Sequence, residues 1–285
     1  MEAYSYLDGI RPLRRFEAAA NTLGHSFNYV IKKDLSAIPL YDALFIRTTT
    51  DPRYPAYLAS KLAWESGLTV IDEPFAIRAC SNKVHMHELL ERSNIPRIQT
   101  LFLLKDRLDH RTIQEAFSTL GKPIVLKAPY TAFSKYVEKA EDEENLNRIC
   151  KRFFRFSDIV VAQRFVPTTF DWRIGILDND ALYACKYHMP EGQWKHGTRV
   201  RGGRFIWGKT EAVKRETLPP RLKEVAIQAS KPFGRGLFGV DIKEINGDYI
   251  VVEINDNATI YADEEDREDI DIYEKIINHL ARGKA

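Results

Sequence analysis

Apolar residues recur at helical spacing from residue 11 onward, at Leu13, Phe16, Ala19, Ala20 and Leu23. They then close up into a short run at 27–31 that reads as a strand. Residues 41–46 are a second short strand candidate, ending in Arg47, Thr48, Thr49 and Thr50. Helical spacing returns over 55–66, and Gly67 stands where a glycine past the last turn would stop that helix. Residues 68–71 are strand-like again and lead into Asp72, Glu73 and Pro74. Strand, helix and strand in this order predict a βαβ unit with parallel pairing. Residues 1–80 are therefore expected to form a small α/β domain.

Beyond it, Ser81 is placed to cap a helix through Met86, Leu89 and Leu90 to Asn94, which Pro96 ends. A strand at 100–104, a helix at 111–120 and a strand at 123–127 follow, the last being PIVLK with its lysine at the end. Residues 138–155 read as a charged helix. Strands are predicted at 159–163, 173–177 and 181–186, the latter two joined as a hairpin across Asp178, Asn179 and Asp180. Residues 190–210 are rich in Gly, Arg, Lys and Trp with little periodicity, which predicts a long functional loop. A helix at 219–234 precedes strands at 237–242 and 249–254, joined by Asn246-Gly247-Asp248. The last predicted helix, 264–281, puts Ile270, Tyr273, Ile276, Ile277 and Leu280 on one face.

Composition changes this picture little but excludes several classes. The chain has 285 residues, 44% hydrophobic and 29% charged, in the range of an ordinary globular protein. Its 42 basic and 40 acidic residues leave a net charge of +2, and no clustered basic stripe marks a nucleic-acid partner. No apolar run is long enough for a membrane span or shaped as a secretion signal. Cys80, Cys150 and Cys185 are few, odd in number and widely spaced, which suits reduced thiols in the cytoplasm. The expectation is a cytoplasmic enzyme-sized protein, as a monomer or a homo-oligomer.

The stretch GVDIKEINGDYIVVEIND carries the clearest chemistry. At strand period, Val240 and Ile242 face one side and Asp241 the other; on the return strand, Val252 and Ile254 share a face opposite Glu253 and Asn255. Asp241, Glu253 and Asn255 can then converge on one surface. Two carboxylates and an amide oxygen are hard ligands, suited to Mg²⁺ or Mn²⁺ rather than zinc. The alternative is an edge hairpin that turns its polar face to solvent. Against it, Glu253 interrupts an apolar run, and a buried carboxylate needs a cation or strong donors.

With PIVLKAP, VAQRFV and the segment VIDEPFAIRACSNKVHMHELLERSNIPRIQT, this hairpin resembles the ATP-grasp superfamily, most closely RimK-like carboxylate–amine ligases. The order of motifs matches over about residues 40–285. The resemblance implies an α/β fold of two α+β lobes clasping ATP behind a small N-terminal parallel domain: 1–80, then 81–160, then 161–285 carrying the metal site. It implies metal-ligand roles for Asp241, Glu253 and Asn255, and phosphate contacts for Lys127 and Lys83. Gln163, Arg164, Phe165 and Val166 match the hinge that meets adenine, largely through backbone groups. Asp171 and Arg173 match a D-x-R motif, with Arg173 and Lys186 near the transferred phosphoryl and acyl groups. Asn257 follows in the EINDN pattern and, with Arg47, is a substrate candidate.

The sequence departs from the family in the loop after the lysine strand, where Thr131 and Tyr136 replace two glycines. Phosphate contact there would fall to Ser134 and Lys135. The basic loop with Lys195, His196, Arg199, Arg201, Arg204 and Lys209 suits a carboxylate-bearing substrate, since arginine forks grip carboxylates. The expected reaction is ATP-dependent amide or peptide bond formation on an amino acid or short peptide, through an acylphosphate. A phosphotransferase on the same fold, or a catalytically weakened nucleotide-binding protein, are the alternatives.

Overall fold

The computed structural model describes residues 3–131, 136–199 and 205–283. Helix α1 (Ala3–Thr22) leads to the parallel pair β1 (Ala43–Phe45) and β2 (Thr69–Ile71), joined by α2 (Pro55–Glu65). This is the predicted βαβ unit. Residues 27–31 form no strand. Phe27 packs against the core under α1 and Val30 against that under α2, while Tyr29 and Ile31 stay exposed.

Helices α3 (Pro74–Ser81) and α4 (Lys83–Arg92) meet at Asn82, not at Ser81. Asn82 is the cap: its side-chain oxygen accepts from the backbone N–H groups of Val84 and His85 at 3.0 and 3.3 Å. Ser81 lies in the last turn of α3 and its hydroxyl donates to Arg78 O. Asn82→Ala is therefore expected to destabilise the protein by about 1 kcal/mol, and Ser81→Ala by only a few tenths. Equal shifts of the two denaturation midpoints would overturn the assignment.

Next come β3 (Thr100–Leu104), α5 (His110–Leu120), β4 (Ile124–Lys127), β5 (Val137–Ala140), α6 (Glu143–Phe153) and β6 (Ile159–Arg164). Their strands make a four-stranded antiparallel sheet in the order β3-β6-β4-β5. The expected helix over 138–155 starts later, because 137–140 pairs with β4 and the Asp142 side chain caps α6 at Asn145 N. Among the described residues, the core of this lobe runs from Leu103 to Ala162 and draws on no other part of the chain.

The third lobe holds β7 (Phe170–Leu177), β8 (Asp180–His188), β9 (Gly197–Arg199), β10 (Phe205–Trp207), β11 (Thr210–Val213), α7 (Pro220–Ser230), β12 (Leu237–Ile245), β13 (Asp248–Asn255) and α8 (Ile272–Ala281). Its five-stranded antiparallel sheet has the order β11-β8-β7-β12-β13. The predicted loop at 190–210 contains the small β9–β10 hairpin. The expected helix over 264–281 begins only at Ile272, since Glu265 and Asp266 turn their carboxylates onto the Tyr261 and Asp263 N–H groups and hold that stretch in turns. Ile270 lies before the helix and is 82% exposed.

A register shift between Asp241 and Ile242 places Ile242 opposite Val251, so β13 changes phase by one residue. Val251 and Ile254 enter the core and Val252 does not, contrary to simple alternation. Helix α4 packs with this sheet: Met86 and Leu90 share one core with Trp172, Val240 and Ile254. The first and third lobes share another core, which joins Phe16 and Ile71 to Leu177, Leu182 and Ile276.

Candidate functional site

Asp241 and Glu253 are direct partners across β12 and β13. Strand β7 lies on the other side of β12 and sets Arg173 opposite Asp241. The Arg173 guanidinium forks onto that carboxylate, Nε donating to Oδ1 at 2.5 Å and Nη2 to Oδ2 at 3.1 Å. Gly239 makes this approach feasible: a Cβ there would come within 2.9 Å of Arg173 Nη1. Asn255 completes the row, its amide nitrogen donating to Asp241 Oδ2 at 3.2 Å.

The bulge keeps Glu253 in phase with Asp241, and two lysines reach it from elsewhere. Lys83, in the first turn of α4, places Nζ 3.2 Å from Glu253 Oε1, and Lys127, at the end of β4, places Nζ 3.8 Å from Oε2. Both lysines are buried. Lys83 also donates to Thr131 O at 2.6 Å, which ties the start of α4 to the segment after β4.

The charges respond to this crowding. Burial pushes the Glu253 carboxyl up, but Lys83 and Lys127 outweigh it and hold it down at about 2. Burial raises the Asp241 carboxyl; Arg173 pulls it back and Glu253 adds to the rise. Burial lowers the Lys127 ammonium against the pull of Glu253. Among the described residues no three His, Cys, Asp or Glu side chains gather as a metal cluster. The set here is two carboxylates and an amide, a donor chemistry that fits a hard divalent cation, with Asp241 and Glu253 paired across the strands and the Asn255 amide at the Asp241 carboxylate.

The other expected residues separate into groups. Asp171 is engaged beside the site, accepting from Lys243 Nζ at 2.6 Å and Thr168 Oγ1 at 2.7 Å. Lys186 is on the same sheet, 3.6 Å from Glu211 and over the rings of Phe170 and Trp172. Arg164 N pairs with Gln99 O, so the hinge strand is bonded into its sheet up to that residue. Phe165 and Val166 follow the strand, and the Phe165 ring meets Trp194 edge-on at 5.9 Å. Gln163 turns its side chain into a buried contact with His87 and Thr100. Lys195 donates to Val137 O at 3.1 Å, bridging the basic loop to the middle lobe. Arg199 closes β9 opposite Phe205. Ser134, Lys135, Arg201 and Arg204 lie outside the described residues.

Arg47 and Asn257 do meet, in a second cluster at the end of β1. Arg47 Nη1 donates to Asn257 Oδ1 at 2.7 Å and to Ala258 O at 2.9 Å. Asp72 stands beside them, 1% exposed, accepting from the backbone N–H groups of Leu237 at 2.7 Å and Asn257 at 2.6 Å. Asn257 holds φ at +47°, a left-handed conformation that asparagine tolerates better than most residues. Burial raises the Asp72 carboxyl to about 6, against these two N–H donors. Sequence reading missed Asp72, Lys243 and His87. The spacing of Lys83 and His87, one helical turn apart, was a signal that both share a face.

Tyr136, at one of the replaced glycine positions, has φ +50°. The backbone thus keeps the left-handed turn without the glycine, and the Tyr136 ring rests against Phe153 and Phe156.

Residues 80–280 match the family described as the RimK-like ATP-grasp domain. The chain is similar to a probable alpha-L-glutamate ligase 2 of Pseudoalteromonas atlantica, 23% identical over 260 residues that cover 85% of this chain and 82% of that protein. It is similar also to the alpha-aminoadipate–LysW ligase LysX of Saccharolobus solfataricus, 25% identical over 206 residues and 70% of each chain. In fold it resembles a D-alanine–D-alanine ligase from Bacillus anthracis complexed with ATP, with a TM-score of 0.71 at 16% identity over 97% of this chain and 92% of the other.

Proposed function

The chain belongs to the RimK-like ATP-grasp family and is an ATP-dependent carboxylate–amine ligase; on that premise we propose that it joins an amino-acid carboxylate to an amine through an acylphosphate, with Mg²⁺ or Mn²⁺ held by Asp241, Glu253 and Asn255. The observation that carries this reading is the Glu253 carboxylate shared by Lys83 and Lys127 beside the Asp241–Arg173 pair. Anionic phosphates would take over the two lysines, and the released Glu253 carboxylate would face the metal beside Asp241. A divalent ion there offsets charge on the phosphates.

The substrate carboxylate attacks the γ-phosphoryl group, giving an acylphosphate and ADP. An amine then displaces phosphate and forms the amide. Such chemistry needs positioning and charge neutralisation more than a protein nucleophile. Lys83 and Lys127 would hold the phosphates, while Arg173 and Lys186 would meet the transferring phosphoryl and the tetrahedral intermediate. One named relative is a probable alpha-L-glutamate ligase and the other an alpha-aminoadipate–LysW ligase, which supports an α-amino dicarboxylic acid as one substrate. Among the described residues no helix is long and apolar enough to cross a membrane.

The test is ADP release over pooled amino acids and dipeptides, with products read by mass spectrometry. Amide formation together with one ADP and one phosphate is expected. A stable phosphorylated product with no amine consumed would overturn the ligase reading in favour of a kinase.

A further inference from the structure

Strand register places Tyr187 where it can act on Arg173. On the β7–β8 pair Asp171 lies opposite Tyr187 and Arg173 opposite Cys185, so Tyr187 and Arg173 are diagonal neighbours on one face. The Arg173 guanidinium carbon lies 5.1 Å from the centre of the Tyr187 ring, a cation–π contact. That ring is itself held in two ways. Its hydroxyl donates to Glu265 Oε1 at 2.5 Å, and the other oxygen of this buried carboxylate accepts from Tyr261 N at 2.7 Å. The His196 ring, from the basic loop, stacks on it at 4.5 Å and is nearly parallel, at 13°.

Arg173 needs this second support. Its fork onto Asp241 fixes the guanidinium only while that carboxylate is free to accept. A divalent ion at Asp241 would compete for the same oxygens, whereas the neutral face of a tyrosine ring has no such competitor. Arginine side chains carry many rotamers, so a guanidinium released from its carboxylate disperses unless something else holds it. We propose that Tyr187, anchored by Glu265 and stacked on His196, is a positioning residue for Arg173 that keeps the guanidinium over the site when a metal engages Asp241. The inference rests on the reading that Arg173 meets the transferring phosphoryl group. Tyr187 acts through Arg173 and needs no contact with substrate.

The test is a double-mutant cycle on the full-length protein, pairing Tyr187→Leu with Arg173→Ala. ADP release is measured with the amino acids and dipeptides that support amide formation. Tyr187→Leu alone should lower kcat about three- to thirtyfold, the scale of one cation–π contact, with KM for ATP little changed. In the Arg173→Ala background the same change should cost nothing further. Tyr187→Phe keeps the ring but loses the Glu265 anchor, so its loss should be smaller, about two- to fivefold, and should also vanish in that background. This variant keeps the cycle decisive if Tyr187→Leu fails to fold. Losses that multiply across the two positions would overturn the inference alone, as would a phenylalanine no better than leucine. Urea midpoints of the nucleotide-free proteins give a readout independent of turnover: Tyr187→Leu should shift the midpoint less when Arg173 is already gone. An equal shift in both backgrounds is the mark of a merely structural tyrosine and would overturn the inference too. Wild-type protein that releases no ADP with any pooled substrate would overturn the ligase reading, and the midpoint cycle would still decide whether Tyr187 supports Arg173.

Discussion

Glu253→Gln is expected to abolish amide formation, lowering turnover by at least about 10³-fold, the scale reached when a preorganised charge is removed at a phosphoryl-transfer centre. Its second effect is on the fold. The change leaves the ammonium groups of Lys83 and Lys127 without their shared anion, and both are buried. Removing one member of a buried ion pair costs about 3–5 kcal/mol; Glu253 is 23% exposed at its side chain, which trims the figure to about 2–3 kcal/mol. The sign with pH follows from its depressed pKa. The Glu253 carboxyl lies at about 2 in the folded protein against an ordinary 4.5, so its stabilisation is complete above about 4.5 and fades as pH falls toward 2. Urea midpoints of the wild-type protein and the variant should therefore converge on acidification. Nucleotide and phosphate at high concentration should recover part of the lost stability, by supplying the missing negative charge. Full activity in the variant, or an undiminished gap at acid pH, would remove Glu253 from the site.

Arg173→Ala is the second large effect, with kcat expected to fall about 10²–10³-fold. Among the described residues the guanidinium is the one cation hydrogen-bonded to Asp241, and it spans both carboxylate oxygens. Without it Asp241 faces Glu253 directly across the strands, two carboxylates in register. Arg173→Lys restores the charge but not the fork, so recovery should be partial. A loss confined to KM for ATP, with kcat intact in both variants, would assign Arg173 to ground-state binding alone.

How much of this was legible beforehand depends on what each residue reports. The acidic hairpin was readable as two paired strands because alternation and the Asn-Gly turn are local, but the register that starts from Ile245 opposite Asp248 would bring Asp241 to Val252, and it is the bulge that brings it to Glu253. The phase change at Val252 was not, because a bulge depends on which neighbour the strand must satisfy, and Val251 is held by Pro96 O and Ile98 N from outside the hairpin. Residues 27–31 and 138–141 misled for the same reason: apolar or charged periodicity does not say whether a partner strand is present. Lys83 and Lys127 gave phosphate roles through the family resemblance, yet their common anion required the folded chain, since the lysines are far apart in sequence and Glu253 comes from the far end. Asp72 was invisible because its partners are backbone N–H groups, which carry no sequence signature.

The partition of apolar side chains has a mechanical consequence. The first and third lobes are fused through a common interior, and Asp72 pins the end of the small parallel pair to both Leu237 and Asn257. Among the described residues, the middle lobe's core cluster is drawn from that lobe alone. It meets the rest through polar ties, among them Lys83 to Pro129 O and Thr131 O, and Lys195 to Val137 O. The molecule is thus a two-part tool, a heavy anvil carrying the acids and a light jaw carrying Lys127. A hinge between the two parts would fall where the chain crosses, near Gln99 and just past Arg164, whose backbones are hydrogen-bonded to each other.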